Sequence, residues 1–412
     1  MLRIVLFLTL ALGALSGPVM AQDRAAIESQ YRDWLETFVR PQAEAKGVSR
    51  KIFEAAFSGV TLNWDLSGLV FPGMEPEPPV QQSQAEFRAP ARYFKPSALA
   101  GTAAIGRKVA AQHNNTLAAV EKASGVPGRI VLAIWARESG YGRVPITYNA
   151  FQVLGSRAYA STGDYLTNEL IAALEIAQAG HVPVNAMKSS WAGALGQPQF
   201  MPASYLAYAS DGDGDGRADI WGSDADTMAS IANFLAVHEW DAARDWGFEV
   251  QVPDTISCTL EGPDQGRPVA AWEAMGIKRL SGKSFPQAEQ KGESFLLMPA
   301  GRLGPAFIVT PNFYVLKRYN RSDLYALYVG NLGDRIQYGM GDFLAGWDGL
   351  DKIFRSDISE IQRGLESLGH DVGGADGLPG FKTRRAVGRW QEATNRTATC
   401  FPEASMRDAL AE

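Results

Sequence analysis

The chain has 412 residues, 46% of them hydrophobic and 20% charged, with 42 Gly, 22 Pro and 2 Cys, a composition that excludes a disordered or collagen-like polymer. At about 100 to 200 residues per domain the length predicts two or three domains, large enough to bury a core without disulfide staples. Lys plus Arg number 39 against 45 Asp plus Glu, a formal net charge of -6, which argues against a nucleic-acid partner because phosphates demand a basic face.

Residues 1 to 21 carry Arg3, an apolar run from Ile4 to about Leu15, a Gly17-Pro18 break and small residues ending at Ala21. That pattern predicts a secretory signal, with an exported chain beginning near Gln22. The run is shorter than the roughly 20 residues that span a bilayer, so no membrane span is expected. No Cys lies near the cleavage point to take a lipid, which makes the expected location the periplasm. Cys258 and Cys400 would meet an oxidising compartment; they pair or stay as two buried thiols, and the sequence leaves both open.

Further along, Ile27, Tyr31, Trp34, Leu35 and Phe38 recur at helical spacing ahead of Pro41. The run from Phe71 to Pro79 is rich in proline and reads as a loop. Helical patterns resume through Ile105 to Ala123, Ile130 to Glu138, Leu166 to Ala179 and Met228 to Val237. From about Phe248 to Val315 the character changes to short β-prone pieces, Phe248 to Val252, Ser294 to Met298 and Phe307 to Val309. Asp323 to Tyr338 is helical again, and Ser356 to Glu412 reads as a separate unit. The fold class is therefore mainly α (α+β), with a small strand-containing subdomain.

Five stretches could carry chemistry. Glu138 closes the apolar run Ile130 to Ala136, and Gly140 and Gly142 behind it can end a helix and open the backbone to a ligand. A carboxyl so placed is partly desolvated, which favours its neutral form and suits a general acid; an ordinary last-turn Glu is the alternative. Ser190 to Tyr205 (SWAGALGQPQFMPASY) sets small residues between Ser190 and Gln199, whose side chains suit hydroxyl and acetamido groups; a Gly-rich turn between helices is its plainer reading. Asp211, Asp213 and Asp215 alternate ahead of Gly216, with the Arg217 carbonyl next, like the opening of an EF-hand loop. Position 12 is Gly222 where that loop would have a bidentate Glu, and a solvated acidic turn is the alternative. Arg318 to Ala326 (RYNRSDLYA) opens a helix for which Ser322 reads as a cap. The fifth stretch is the C-terminal unit, with helix faces from Ile361, Leu365 and Leu368 and from Ala386, Val387 and Trp390 around Asp376-Gly377-Leu378-Pro379-Gly380. His113, His181, His238 and His370 are scattered, which excludes zinc spacing, and no phosphate loop occurs.

Glu-Ser-x-Tyr-Gly followed by Gly-Ala-x-Gly-x-x-Gln-Phe-Met-Pro-x-Ser-Tyr resembles the signature of the MltB-type lytic murein transglycosylases, and residues 356–412 resemble a three-helix peptidoglycan-binding module. The resemblance implies a lysozyme-like helical catalytic domain over residues 22–350 and a wall-binding domain over 356–412, with peptidoglycan glycan strands as partner. It implies cleavage of the β-1,4 MurNAc-GlcNAc bond with a 1,6-anhydroMurNAc product, and no catalytic cofactor. Glu138 becomes the catalytic residue, and Ser190, Gln199, Tyr319, Asn320 and Tyr325 become substrate contacts. Asp226 becomes the acid that closes a structural calcium loop of Asp211, Asp213, Asp215 and the Arg217 carbonyl, with Asp224 a rival and Asp219 an alternative ligand. A hydrolytic muramidase and a non-catalytic wall-binding scaffold are the competing readings. Phe234, where relatives often place Tyr, and Pro198 depart from the family pattern.

Overall fold

A computed structural model describes residues 17–74, 90–347, 350 and 353–411. The apolar run of the expected signal lies outside these residues, as does the loop expected at 71–79 beyond residue 74. The chain divides into two compact units, the first built from residues up to 78 and 146–207, the second from 79–145 and 208–412. This discontinuity has no mark in the composition.

Helix α1 (Gly17–Trp34) continues through a single π turn at Leu35–Val39 into α2 (Arg40–Ala45). Pro41 does not stop the helical path; it falls in the first turn of α2, directly after the π turn. Helix α3 (Arg50–Phe57) follows, capped by Ser49 accepting from Ile52 N. The chain then enters the second unit with α4 (Pro96–Gln112) and α5 (Asn114–Ser124). The periodicity predicts one helix here; the structure breaks it at His113, whose backbone leaves the helical region (φ -109°, ψ 22°) before α5 restarts.

Helix α6 (Gly128–Ser139) is buried on every side over Ile130 to Trp135, as an all-round apolar sequence must be in a soluble core. Back in the first unit, β1 (Tyr148–Asn149), α7 (Ala150–Tyr159), α8 (Asp164–Ala179) and β2 (Lys188–Ser189) precede α9 (Pro202–Tyr208). β1 and β2 pair antiparallel. Gly155 on α7 lies against the buried Tyr31 ring of α1; a Cβ there would stand 2.2 Å from the Tyr31 hydroxyl oxygen, so only glycine fits.

In the second unit, α10 (Asp224–Val237) packs on α5 and α6. The strand-prone region becomes β3 (Gly247–Gln251), β4 (Arg267–Pro268), helix α11 (Val269–Ala274), β5 (Lys278–Arg279), β6 (Glu293–Leu297), β7 (Pro299–Arg302) and β8 (Ala306–Val309). Five of these strands form an antiparallel sheet in the order β4-β6-β8-β3-β5. Trp272, Phe248, Leu296 and Ile308 fill the core beside it. Helix α12 (Pro311–Tyr319) packs on α10 and on α13 (Asp323–Tyr338), and α13 returns to α6.

Three helices, α14 (Arg355–Ser367), α15 (Phe381–Ala393) and α16 (Ala404–Ala411), close the chain around Ile358, Ile361, Leu365, Val387 and Trp390. This module is not an independent appendage. Cys258 and Cys400 form a disulfide, with Cα atoms 6.1 Å apart, and both lie in the core beside the sheet. A link closing 142 residues removes much conformational freedom from the unfolded chain, and such bridges contribute about 2–4 kcal/mol. Among the described residues no helix is long and apolar enough to cross a membrane.

Candidate active site

Glu138 occupies the last turn of α6, where the chain stops because Gly140 takes a left-handed conformation as the C-cap (φ 59°). Tyr141 and Gly142 follow with φ 62° and 72°. For Tyr141 this costs strain of order 1–3 kcal/mol, and its anchors are visible: its ring meets Trp135 edge-on at 5.8 Å and its hydroxyl donates to the Thr102 carbonyl at 3.2 Å. Ser139 Oγ accepts from Gly142 N at 3.1 Å, tightening the same turn. Arg137 lies over the rings of Tyr93 and Tyr328, at 4.7 and 5.1 Å.

The Glu138 carboxyl has one oxygen 2.5 Å from the Tyr325 hydroxyl, which donates to it. Burial pushes the carboxyl up to about 7, against the opposing pull of the Tyr325 hydrogen bond and the Arg137 charge. A group poised near neutrality can hold a proton and release it within one reaction cycle. Tyr319 and Tyr325 lie nearly parallel, 11° between rings with centroids 6.4 Å apart. Phe234 of α10 meets Tyr319 edge-on at 4.8 Å and stacks on His238 at 4.2 Å. Burial drives both tyrosine hydroxyls far above their ordinary range, so they remain donors.

The resemblance implied a sugar contact for Tyr325. Tyr325 is only 2% exposed and its hydroxyl donates to Glu138. Ser322 caps α13 by accepting from Tyr325 N at 3.3 Å, as its place in the sequence predicts. Asn320 is exposed and accepts from Ser322 N at 3.1 Å, shaping the corner between α12 and α13.

Ser190 and Gln199 belong to the first unit, on one loop between β2 and α9. Leu195 bridges to both Ser189 and Phe200, folding the loop back on itself. Ser190 Oγ accepts from Ala194 N at 3.2 Å. Gln199 adopts φ 55° and its amide donates to the Gly196 carbonyl at 2.9 Å. Trp191, 53% exposed at the tip, has Arg157 over its ring at 5.4 Å. Glu169 accepts from Ala203 N at 2.8 Å at the start of α9.

In the second unit, carboxylate oxygens of Asp211, Asp213 and Asp226 come within 4.8 Å of one another. Asp226 is buried and accepts from Gly212 N at 2.8 Å and Asp219 N at 2.7 Å. Asp215 accepts from Arg217 N and stands outside this cluster of three, while Asp224 faces His113 Nε2 at 3.4 Å.

Residues 30–334 match the family described as the transglycosylase SLT domain. The chain belongs to that family. Residues 354–410 separately match a peptidoglycan binding domain. SltB3 from Pseudomonas aeruginosa, solved with NAG-anhNAM-pentapeptide and with NAG-NAM-pentapeptide, is 34% identical with a TM-score of 0.82; in the first complex the match covers 93% of this chain and 99% of SltB3. The membrane-bound lytic murein transglycosylase B of Escherichia coli is 29% identical over 231 residues, 55% of this chain and 61% of that relative. E. coli SLT35, solved in complex with calcium, shares the fold at 23% identity and a TM-score of 0.57, over 76% of this chain and 93% of SLT35. These matches place the chain with the MltB and SltB type of lytic transglycosylase.

Proposed function

We propose that this SLT-family protein is an exported peptidoglycan lytic transglycosylase that cleaves the β-1,4 bond between MurNAc and GlcNAc and leaves a 1,6-anhydroMurNAc end. The observation that carries the reading is the Glu138 carboxyl, raised to about 7 and held by Tyr325 in the last turn of α6. Glycosidases that add water ordinarily use two carboxylates. Here Glu138 protonates the glycosidic oxygen as the bond to C1 breaks, and the resulting carboxylate takes the proton of the C6 hydroxyl as that oxygen attacks C1. The attacking group belongs to the substrate, so proximity replaces an external nucleophile.

Ser190 and Gln199 would hold the sugar by hydrogen bonds and Trp191 would offer an aromatic face, in keeping with their loop. Residues 22–350 would form the catalytic domain and 356–412 the wall-binding domain, after removal of a signal peptide at 1–21 and release to the periplasm. The donor set of Asp211, Asp213 and Asp226 is all oxygen, as a hard cation requires. Those three, with the Arg217 carbonyl and Asp215 as further oxygens, would hold a structural calcium ion that fixes the loop leading into α10.

Digestion of purified sacculi by the protein and by its Glu138→Gln variant tests this reading, with released muropeptides read by mass. Anhydromuropeptides from the unaltered protein alone are expected. Reducing ends would identify a muramidase, and no release by either protein would leave a binding scaffold.

A further inference from the structure

The C-terminal module reaches the catalytic corner with a buried side chain. Arg384 on α15 is 2% exposed and spends its whole guanidinium in place. It donates through Nε and Nη2 to the two oxygens of Glu261, at 2.8 and 2.9 Å, and through Nη1 to the Pro379 carbonyl at 2.7 Å. From Nη2 it also reaches Asp323 Oδ2 at 3.1 Å.

Asp323 is the first residue of α13, and its other oxygen pairs with Lys317 Nζ of α12 at 2.5 Å. The Lys317, Asp323 and Arg384 cluster therefore clasps the corner between α12 and α13, the corner whose ends carry Tyr319 and Tyr325. On the module side this corner faces a cavity of about 400 Å3, lined by Lys317, Asn320, Asp323, Leu378, Phe381 and Arg384. On this side the ion cluster adds to the Asn320 and Ser322 hydrogen bonds that shape the corner. Tyr325 lies two residues beyond Asp323 and donates to Glu138.

We infer that Arg384 is a positioning residue for catalysis: the C-terminal module holds the start of α13 so that the Tyr325 hydroxyl meets Glu138. The module thus contributes to the reaction as well as to wall binding. This rests on the assignment of Glu138 as the acid, and a misplacement of about an ångström at such a contact can lower a rate up to about a hundredfold.

Arg384→Met alone would strand buried carboxylates, so the test uses Glu261→Gln/Arg384→Met in the full chain, where Asp323 keeps Lys317. Thermal melting confirms folding, and kinetics use a soluble peptidoglycan strand. The expected result is a kcat about tenfold lower with KM and sacculus binding within about twofold, since groups that act through one contact separate kcat from binding. In a Tyr325→Phe background the same pair should cost less than about twofold more, because residues acting through one contact are not additive. An unchanged kcat in the folded pair, or an equal loss in both backgrounds, would overturn the inference. Should the pair fail to fold, Arg384→Lys, which keeps the charge and loses the fork, is read the same way. Wild-type release of anhydro product, absent in Glu138→Gln, keeps the parent reading separate from this outcome.

Discussion

The Tyr325 hydroxyl stands 2.5 Å from Glu138 Oε1, joining the first turn of α13 to the last turn of α6 across 187 residues of chain. Two influences act on the Glu138 proton in opposite senses. Burial favours the neutral acid, while the tyrosine donor favours the carboxylate. Burial wins, and the acid is held near 7 without losing its ability to ionise.

On the mechanism proposed above, turnover should fall as pH rises through about 7, because the protonated fraction of Glu138 falls there. Tyr325→Phe removes a donor that stabilises the carboxylate, so this falling limb should move to higher pH while kcat drops. Arg137 and Tyr319 also face the acid and remain unchanged in the variant. Profiles of kcat/KM against pH check it; a limb that stays in place or moves down would refute the assigned role of the hydrogen bond.

The same carboxyl weakens the fold. A folded-state value near 7 against an ordinary 4.5 means the native protein binds more protons between those values, so this group's contribution is fully present below 4.5 and is lost as pH rises through 7. Glu138→Gln should consequently melt higher than the unaltered protein at pH 8, by a margin on the order of 1–3 kcal/mol. At pH 4 the two should coincide. Thermal melts at both values decide, and equal melting at pH 8 would mean the carboxyl is better solvated than its surroundings imply.

Local patterns were legible in the sequence where one face or one cap decides the structure. Ile130 to Ala136 predicts α6 and Gly140 its end, and Asp323 to Tyr338 is the helix observed, with Ser322 as cap. The family resemblance, not a local pattern, favoured Asp226 over Asp224 as the acid closing the aspartate loop, and its carboxylate comes within 4.8 Å of those of Asp211 and Asp213. The misses are long-range. Nothing near residue 325 says that its hydroxyl will meet Glu138, and Arg384 reads as an ordinary helical arginine until the fold sets it against Glu261 and Asp323. The break at His113 escaped periodicity because α4 and α5 both carry apolar faces on either side of it. The pairing of Cys258 with Cys400 required a distance that a sequence does not contain.

A second buried ion cluster tests the core of the larger unit. Arg129 donates to Asp334 at 2.6 Å and Asp245 at 2.8 Å, while Trp246 Nε1 donates to the other Asp334 oxygen at 3.0 Å. Burial pushes Asp334 up to about 7 despite the arginine. Arg129→Met leaves this carboxyl without its cation, which typically costs about 3–5 kcal/mol. The loss should be larger at pH 8 than at pH 5, where a protonated Asp334 needs no cation. Denaturant melts of the variant at the two values measure the difference, and a pH-independent loss would trace the damage to packing alone.

The aspartate loop gives the remaining prediction. Asp226 sits at the start of α10, and its two oxygens receive Gly212 N and Asp219 N, which ties the loop to the helix. Asp211 is held below its ordinary value, chiefly by the Gly216 amide, whereas burial pushes Asp226 up. For the calcium site proposed above, the expected response to calcium is a higher melting temperature with unchanged chemistry. At a hundredfold excess over its dissociation constant a bound ion adds about 2.7 kcal/mol. Asp211→Asn removes a carboxylate charge from the cluster while keeping an oxygen, so its calcium-dependent rise should be strongly reduced. Melting curves of both proteins with calcium and with a chelator, alongside turnover in the same buffers, test the arrangement. An equal rise in both would place the ion elsewhere, and a loss of turnover in chelator at a temperature where the fold is intact would give the ion a part in catalysis that its position beside α10 does not imply.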